Sequence, residues 1–406
     1  MSDPRSLLTP EDNLVLEKLR TKGEAWIVGG WVREALLGNL SPDLDIATTL
    51  TPSKVKELFP RTIPIGEDYG TVIVRLDKEI VGEWEVTTLR KEGTYGDGRR
   101  PDNVLFGENI EDDLARRDFT INAMAINSNG DLIDIFGGEE DLRCNILRAV
   151  GDARERIAED GLRIMRAFRF LDKDDDNIRL MDEELESAIR ENRRMLDKVS
   201  SERIGEEIRK ILSKKNSYKI LLKMEETGVL EDIFDGLTLD IGEKEHNNPL
   251  VILSKILRKN ELEGSEVALK LRDCLKFSKK ELDLVSFLHE NRNVDFETDI
   301  GSLRRFNIYL SKRQKEAILE YHKPTEFINK LNNLKESRDD VSPLIDGITL
   351  SEHTGIKPGP KLGNLKGWLY RQQIERNITK KEEVLELLEN ISLGEDYRDL
   401  PILSWP

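Results

Sequence analysis

The acidic residues Asp43 and Asp45 stand two positions apart in the segment DLDIATT, which has the apolar and β-branched composition of a strand. Along a strand, residues i and i+2 point to the same face, so the two carboxylates are expected in one pocket. Two like charges at that separation need a cation, and hard oxygen ligands with an unfilled coordination shell suit Mg²⁺. Asp43 and Asp45 are therefore the predicted Mg²⁺ ligands.

Upstream of the acidic pair, the glycines Gly29 and Gly30 are followed by Arg33. The glycines leave room for a triphosphate to approach the backbone, and an arginine one turn into the next helix adds charge-assisted hydrogen bonds. Two Mg²⁺ ions beside them would activate an attacking hydroxyl and stabilise a pyrophosphate leaving group in an in-line displacement. An Asp-x-Asp pair by itself is more often a surface turn, but its combination with Gly-Gly-x-x-Arg predicts nucleotidyl transfer. The P-loop pattern GxxxxGK[ST] is absent.

Glu85 is a candidate third catalytic acid. In EWEVTTLR, Glu83 and Glu85 alternate onto one face of a predicted strand, where they can line up beside the aspartates. The alternative is a strand acid that faces solvent, and the sequence leaves both interpretations open.

The elements that must position these residues are an apolar strand at 24–28, a tight glycine turn and the helix WVREALLG. Further strands are predicted at 43–47, 71–76, 82–90, 120–127 and 131–136. Helical spacing of apolar residues predicts helices at 156–172, 182–194, 201–213, 217–228, 250–259, 265–275, 279–292, 311–322 and 380–391. The fold class is therefore α+β, with a mixed sheet and flanking helices over 1–142 and an elongated, all-α remainder.

Composition limits the kinds of partner. At roughly 100–200 residues per domain, 406 residues predict two to four domains. A net charge of −16 argues against coating nucleic acid by bulk electrostatics, although a local basic surface can still bind a polyanion. The chain lacks a long apolar run and a secretory signal, which predicts a cytoplasmic protein without a membrane span. Cys144 and Cys274 are predicted to be small core residues.

The sequence resembles the class II CCA-adding tRNA nucleotidyltransferases, of the tRNA nucleotidyltransferase/poly(A) polymerase family and the polymerase-β-like superfamily. The matching segments run in family order across 27–212 and are GGWVREALLG…DLDIATTLTP, EVTTLRKEGTYGDGRRPDNVLF, DDLARRDFTINAMAIN, DIFGGEEDLRCNILRAVGDARERIAEDGLRIMRAFRF and SSERIGEEIRKIL. The resemblance implies a catalytic head at 1–142, a base-selecting neck at 143–200, a helical body at 201–322 and a tRNA-binding tail at 323–406.

The resemblance also implies roles for individual residues. Asp43 and Asp45 would bind the metal, and Asp118 of RRD would accept a hydrogen bond from the ribose 2′-OH. An isolated Arg-Arg-Asp is otherwise commoner as a surface ion-pair cluster. At Glu34 the family usually has Asp, which puts the hydrogen bonding of the first helix in question. The implied nucleotide contacts are Gly29, Gly30, Arg33, Arg117, Asp118, Asn122, Asp160, Arg163, Arg166 and Arg169.

The spacing of charged residues in and just before the segment AEDGLRIMRAFRF predicts a site that selects the base of the incoming nucleotide. On one continuous helix Arg156, Asp160 and Arg163 would lie within roughly 40° of one another. Asp160 would accept from the exocyclic amine that cytosine and adenine share, and Arg163 would donate to the adjacent ring nitrogen. Uracil and guanine reverse this pattern and would be rejected without a nucleic-acid template. A solvated Asp–Arg salt bridge is the alternative interpretation for the segment alone.

Two further segments concern the substrates, CTP, ATP and the tRNA 3′ end with its acceptor and T-stem region. Residues 90–101 form a glycine-rich loop, which the resemblance identifies as the flexible loop needed for the final A, so full CCA addition is expected. Residues 351–381 contain seven Lys/Arg against two Glu, and Trp368 and Tyr370 could stack on exposed bases or sugars. The alternative interpretation of this segment is a helix with a solvated basic face and a buried Trp, and its sequence alone does not distinguish the two.

Three other functions remain open. A bacterial poly(A) polymerase belongs to the same superfamily, but its typical basic aromatic segment after RRDFT is absent here. A CC-only enzyme is disfavoured by the intact 90–101 segment. A non-catalytic RNA-binding protein of this fold would be expected to have lost the carboxylates that this chain retains. The sequence offers no sign of a protein partner.

Overall fold

The computed structural model describes residues 4–41, 43–63, 70–76, 82–91, 105–107, 109–173, 175–242, 246–334, 341–390, 397 and 400–406. The chain divides into two compact units. The first comprises Met1–Gly236 with Ile241–Lys244 and Asp273–Phe277, and the second comprises Leu237–Asp240, Glu245–Arg272 and Ser278–Pro406.

The first unit is built on a seven-stranded mixed sheet with the order β3-β4-β5-β2-β1-β8-β9. Strands β2 and β5 are parallel, and the other neighbours are antiparallel. The strands of this sheet are β1 (Ala25–Val28), β2 (Asp45–Thr48), β3 (Arg61–Ile63), β4 (Thr71–Arg75), β5 (Trp84–Thr88), β8 (Ala125–Ile126) and β9 (Leu132–Ile133). Two small sheets pair β6 (Arg90–Lys91) with β7 (Leu105–Phe106) and β10 (Ile146–Leu147) with β11 (Leu180–Met181).

Strand β1 explains why the AWIV run is apolar throughout. Its four residues are all buried. Ala25 and Ile27 join the apolar core on one face of the sheet, whereas Trp26 and Val28 join the core on the other. Because successive side chains point to opposite faces, a strand covered on both sides needs an apolar residue at every position.

The helices that flank the sheet are α1 (Pro10–Arg20), α2 (Gly30–Leu36), α3 (Pro52–Leu58), α4 (Ile110–Ala115) and α5 (Gly138–Cys144). Helix α1 was not predicted, although its start carries a capping box in which Thr9 accepts from the backbone of Asp12 and Asp12 accepts from the backbone of Thr9. The prediction that Cys144 is a core residue was wrong. Cys144 is exposed, one turn beyond Glu140, and its Sγ donates to Glu140 Oε1 at 3.2 Å.

The helical part of the first unit contains α6 (Ala153–Glu159), α7 (Leu162–Leu171), α8 (Glu183–Glu191), α9 (Ser201–Leu212), α10 (Ser217–Glu226) and α11 (Val229–Ile233). The continuous helix predicted for 156–172 was wrong, because the chain breaks between α6 and α7. Asp160 is extended, with φ −146° and ψ 107°, and its Oδ1 accepts from the backbone N–H of Leu162 at 2.9 Å. A Cβ on Gly161 would overlap the carbonyl oxygen of Met195.

The predicted α+β class, a mixed-sheet head followed by helices, is confirmed. The strand predicted at 120–127 was correct only at Ala125–Ile126, because Thr120–Asn122 form a 3₁₀ helix. There the hydroxyl of Thr120 donates to Asp141 at 2.7 Å, and Asn122 turns towards α2. These side-chain bonds take the local backbone out of the sheet.

The second unit is helical in the part of it that the structure describes. Its helices are α12 (Pro249–Ile256), α13 (Gly264–Leu275), α14 (Lys279–Glu290), α15 (Ile300–Tyr309), α16 (Lys312–His322), α17 (Thr325–Asn332), α18 (Gly347–Thr354), α19 (Pro360–Glu375) and α20 (Lys381–Glu386); the last three residues of α13 fall within the first unit. Trp368 packs against the core of α18, α19 and α20, and the Tyr370 hydroxyl donates to Val341 O. Both aromatic residues of the basic segment therefore have partners inside the fold. A membrane-crossing helix is not found among the described residues.

Candidate active site

A cavity of about 650 Å³ opens in the first unit where the β1–α2 turn, β2, β5, α7 and α9 meet. A second cavity, of about 400 Å³, adjoins it and shares Gly30, Arg33, Asp45 and Glu85 with it. Asp43 lines only the second cavity. The other predicted site residues all line the larger one, namely Gly29, Gly30, Arg33, Asp45, Glu85, Arg117, Asp118, Asn122, Asp160, Arg163, Arg166 and Arg169.

The acidic residues that line the smaller cavity include the three predicted catalytic acids, besides Glu34 and Glu83. Asp45 is the first residue of β2 and is the direct neighbour of Glu85 on β5 in the parallel register, while Asp43 is exposed just before β2. Burial raises the pKa of Asp45, and the charge of Asp43 adds to that rise. Glu85 is exposed on β5, but the surrounding protein removes part of its hydration and thereby raises its pKa, and the charges of Asp45 and Asp43 add to that rise. The charge of Asp43 thus disfavours the ionised form of Asp45, and the charges of both aspartates disfavour that of Glu85.

This donor set fits a hard divalent cation. Among the described residues, no group of three or more His, Cys, Asp or Glu side chains is already arranged to bind a metal ion. Mg²⁺ does not require one, since it binds through one or two carboxylates and fills its shell with water and substrate phosphate. Carboxylates that repel each other beside a cavity are stabilised when a cation is bound between them.

Gly29 brings the backbone close to the guanidinium of Arg117 and the carboxylate of Asp45. It has φ 70° and ψ −134°, a conformation essentially restricted to glycine. A Cβ there would lie 2.9 Å from Arg117 Nη1 and 3.2 Å from Asp45 Oδ2. Gly30 differs, because a Cβ on it would meet only Arg33 Nη2, at 3.8 Å, and its N–H donates to the Asp45 carboxylate.

Arg33 is held on two sides by neighbouring side chains. Its Nη2 donates to Glu34 Oε1 at 2.9 Å, and its Nη1 donates to Asn122 Oδ1. Burial would raise the pKa of Glu34, but hydrogen bonds from Asn39 and Arg33 hold it below its ordinary value. The longer acid at position 34 therefore keeps a complete set of partners.

The Arg-Arg-Asp segment is turned inwards. Asp113 of α4 is 1% exposed and binds Arg116 Nε at 2.9 Å and Arg117 Nη2 at 3.1 Å. The two arginines keep the pKa of Asp113 low, although burial acts in the opposite direction. Sequence reasoning missed Asp113, although its spacing of three and four residues from the arginines on a helix was a usable signal.

Asp118 is buried and makes an ion pair across the site. Its Oδ2 accepts from Arg166 Nε at 2.6 Å, and its Oδ1 accepts from the backbone of Phe119 at 2.9 Å. Burial would raise the pKa of Asp118, but Arg166 brings it below the ordinary value. Both oxygens of Asp118 are therefore engaged by protein donors.

The residues predicted to select the base are arranged differently from the single-helix prediction, which was wrong. Asp160 Oδ2 accepts from Arg203 Nη2 of α9 at 3.3 Å. Arg163 instead turns to Glu159, which also binds Arg156 at 3.1 Å. Arg163 also donates to the Arg156 carbonyl at 2.8 Å and to the Arg116 carbonyl at 3.1 Å.

Asp160 and Arg163 still line the same cavity, together with Arg203 and Phe170, which the sequence reasoning missed. The partner helix α9 is distant in sequence, so only the motif SSERIGEEIRKIL pointed to it. Of the predicted loop at 90–101, all but Arg90 and Lys91 lies outside the described residues.

Comparison with known proteins identifies the family. The chain is 36% identical over 389 residues to the CCA-adding enzyme of Lactococcus lactis subsp. cremoris (strain MG1363), which covers 92% of this chain and 94% of that protein. The chain belongs to the CCA-adding enzyme family. A second relative, the CCA-adding enzyme of Streptococcus sanguinis (strain SK36), is 36% identical over 374 residues, or 86% of this chain and 89% of the relative.

Family models and a solved structure agree with CCA-adding enzyme membership. Residues 25–148 match the model of the poly A polymerase head domain, and residues 181–240 match that of the probable RNA and SrmB-binding site of polymerase A. The CCA-adding enzyme of Bacillus stearothermophilus, solved in complex with CTP, superimposes with a TM-score of 0.75 at 25% identity, over 96% of this chain and 98% of that one.

Proposed function

We propose that this protein adds the 3′-terminal CCA to tRNA from CTP and ATP without a nucleic-acid template, and that pyrophosphate is released. The observation that carries the proposal is the convergence, in one cavity, of the Gly-Gly turn, an acid of the Asp-x-Asp pair and the Asp160–Arg163 segment. These are the parts of the chain that the sequence assigns to phosphate, metal and base. Full-length similarity to CCA-adding enzymes supports the same reaction.

Asp43 and Asp45 would hold Mg²⁺, with Glu85 as a candidate third acid beside them. When bound, the metal supplies Lewis-acid activation of the attacking 3′-hydroxyl and neutralises charge on the departing pyrophosphate. The Gly30 N–H orients the Asp45 carboxylate. The nearby guanidinium of Arg33 and that of Arg117 are suited to the triphosphate, because guanidinium groups bind phosphate through paired charge-assisted hydrogen bonds.

The base would be selected by Asp160 and Arg163, by accepting from the exocyclic amine and donating to the ring nitrogen. Arg203 donates to the Asp160 carboxylate until the exocyclic amine of a bound base takes the place of the Arg203 guanidinium. The Arg163 guanidinium would have to exchange one of its present acceptors for the base. Asp118 would reach the ribose 2′-OH in the same way, by sharing its carboxylate with Arg166.

The wider organisation is part of the same proposal. We assign the catalytic head to 1–142, the base-selecting neck to 143–200, the body to 201–322 and the tRNA-binding tail to 323–406. In the tail, the basic segment 351–381 is suited to phosphate contact. Its lysine and arginine side chains carry this contact, because Trp368 and Tyr370 are engaged within the fold.

The test is incubation of the purified chain and Mg²⁺ with tRNAs that lack A, CA or CCA, with each nucleotide offered alone and in pairs. We expect C to be added to the shortest end, A only after two C residues, and UTP and GTP to be refused. Long A tails on unrelated RNA would indicate a poly(A) polymerase instead. Arrest after two C residues would indicate a CC-only enzyme.

An Asp43→Ala, Asp45→Ala double variant serves as the catalytic control. If that variant extends tRNA ends at the wild-type rate, the assignment of the metal site is wrong.

A further inference from the structure

Phe170, near the end of α7, is a half-buried aromatic ring in the wall of the larger cavity. Three guanidinium groups surround it. The Cζ atom of Arg33 lies over the ring at 5.2 Å from its centroid, that of Arg166 at 5.4 Å and that of Arg169 at 4.2 Å. The ring of Phe119 packs against it edge to face at 5.8 Å. One ring thus joins cations from α2 and α7.

Each of these arginines also has an acidic partner elsewhere in the site. Arg33 binds Glu34, Arg166 binds Asp118, and Arg169 Nε donates to Glu207 at 2.6 Å. The three cations would repel one another if left unbalanced at this distance. The carboxylates offset the charge, but each occupies N–H groups of its arginine.

An aromatic ring contributes differently from a carboxylate. It attracts a guanidinium through the negative face of its π-system, and the N–H groups stay in the plane of the guanidinium, where they can reach phosphate oxygens. Burial strengthens such a contact, because water competes less. Arg33 and Arg169 are only 14% and 19% exposed. The ring can therefore fix the positions of the cations without using up their donors.

We propose that Phe170 is a positioning residue that holds Arg33, Arg166 and Arg169 where they receive the triphosphate of the incoming nucleotide. This inference rests on the proposed function. The triphosphate is common to CTP and ATP, so Phe170 serves both nucleotides equally. In this respect it differs from Asp160 and Arg163, which read the base.

The experiment compares Phe170→Leu and Phe170→Tyr with the wild-type protein in single-nucleotide addition. We expect Phe170→Leu to raise the KM for CTP and for ATP by the same factor, about three- to thirtyfold, because several cation–π contacts are lost. The exclusion of UTP and GTP stays intact. Phe170→Tyr keeps the ring and restores KM to near the wild-type value.

Phe277→Leu is the matched control. Its ring carries the guanidinium of Arg209 at 4.1 Å in the same unit, and it is not among the residues that line the cavity. We expect this variant to melt at a lower temperature with unchanged KM for both nucleotides. This control distinguishes the general effect of losing an aromatic ring from the specific effect of losing the contacts with Arg33, Arg166 and Arg169.

Three results overturn the inference while the wild-type protein transfers C and A normally. The first is an unchanged KM in Phe170→Leu, and the second is a defect that Phe170→Tyr does not relieve. The third is a defect confined to one nucleotide or accompanied by UTP addition, which would mean that the ring contacts the base. Failure of the wild-type protein to extend tRNA would instead overturn the proposed function.

Discussion

Asp45 and Glu85 are direct neighbours on the parallel strands β2 and β5, and loss of hydration raises the pKa of both carboxyl groups, to which the charge of Asp43 adds at Asp45 and that of Asp45 adds at Glu85. An acid whose pKa is raised by folding binds its proton more tightly in the folded than in the unfolded protein. Its contribution to stability is present below the unfolded pKa and is lost as the pH rises through the folded pKa. At neutral pH, these ionised groups therefore destabilise the metal-free protein.

Asp45→Asn should accordingly melt at a higher temperature than the wild-type protein at pH 7 in the presence of a chelator, while it loses transfer activity. The difference should disappear in acid, where the wild-type carboxyl group is protonated. Thermal unfolding from about pH 4 to about pH 8, the range in which a raised carboxyl pKa acts, measures the difference in melting temperature at pH 7 and its loss in acid. A transfer assay at pH 7 measures the loss of activity. Glu83→Gln is the control, because Glu83 forms an exposed pair with Arg75. A variant no more stable than the wild type at pH 7 would contradict the prediction.

Gly29→Ala and Gly30→Ala should behave differently although the residues are adjacent. At Gly29 an alanine would be strained by φ 70° and would press against Arg117 and Asp45, so we expect a loss of about 1–3 kcal/mol in unfolding free energy and a large fall in kcat. At Gly30 the Cβ meets ordinary contacts, so stability should change little, and KM should rise if phosphate approaches that backbone. Urea unfolding and steady-state kinetics distinguish the two. Equal stability of both variants would argue against a strained turn.

Asp118→Asn should destabilise the protein by about 2 kcal/mol at neutral pH, less than the ~3–5 kcal/mol typical of a broken, fully buried pair, because Arg166 is 35% exposed. Arg166 lowers the pKa of Asp118 against the effect of burial. A carboxylate of this kind stabilises the fold above its unfolded pKa, about 3.9, and the effect is lost as the pH falls through the lower, folded value. Urea unfolding should therefore show a constant difference from about pH 6 to 8 that narrows in acid. A difference independent of pH would show that charge is not its cause.

Arg203→Ala should weaken base discrimination with little effect on the fold. Removal of its guanidinium leaves Asp160 Oδ2 without the donor that orients it, so we expect UTP addition relative to CTP to increase by about tenfold, the effect of one lost charge-assisted hydrogen bond. Asp160→Ala should relax the choice further before transfer itself is lost. Arg209→Ala is the control on the same helix, since Arg209 stacks on Phe277. Unchanged exclusion of UTP and GTP in Asp160→Ala would refute the proposed base selector.

Local sequence determined the elements that bear the site. The apolar run before Gly29, the β-branched residues after Asp45 and the alternation around Glu85 each predicted a strand, and strands formed at all three. The pattern of apolar residues over a few positions is enough to predict these strands, because a strand in a sheet must bury either one of its two faces or both of them. The α+β class follows from the same local patterns.

Tertiary structure decided which groups meet in the cavity. The helical spacing around Asp160 predicted one continuous helix, but the close approach of Gly161 to the Met195 carbonyl and the pairing of Asp160 with Arg203 favour a break. Similarly, no local pattern brings Arg33 of α2 to Phe170 of α7. These contacts join residues distant in the chain, and their stability depends on burial and charge supplied by other segments. A local periodicity carries no information about either.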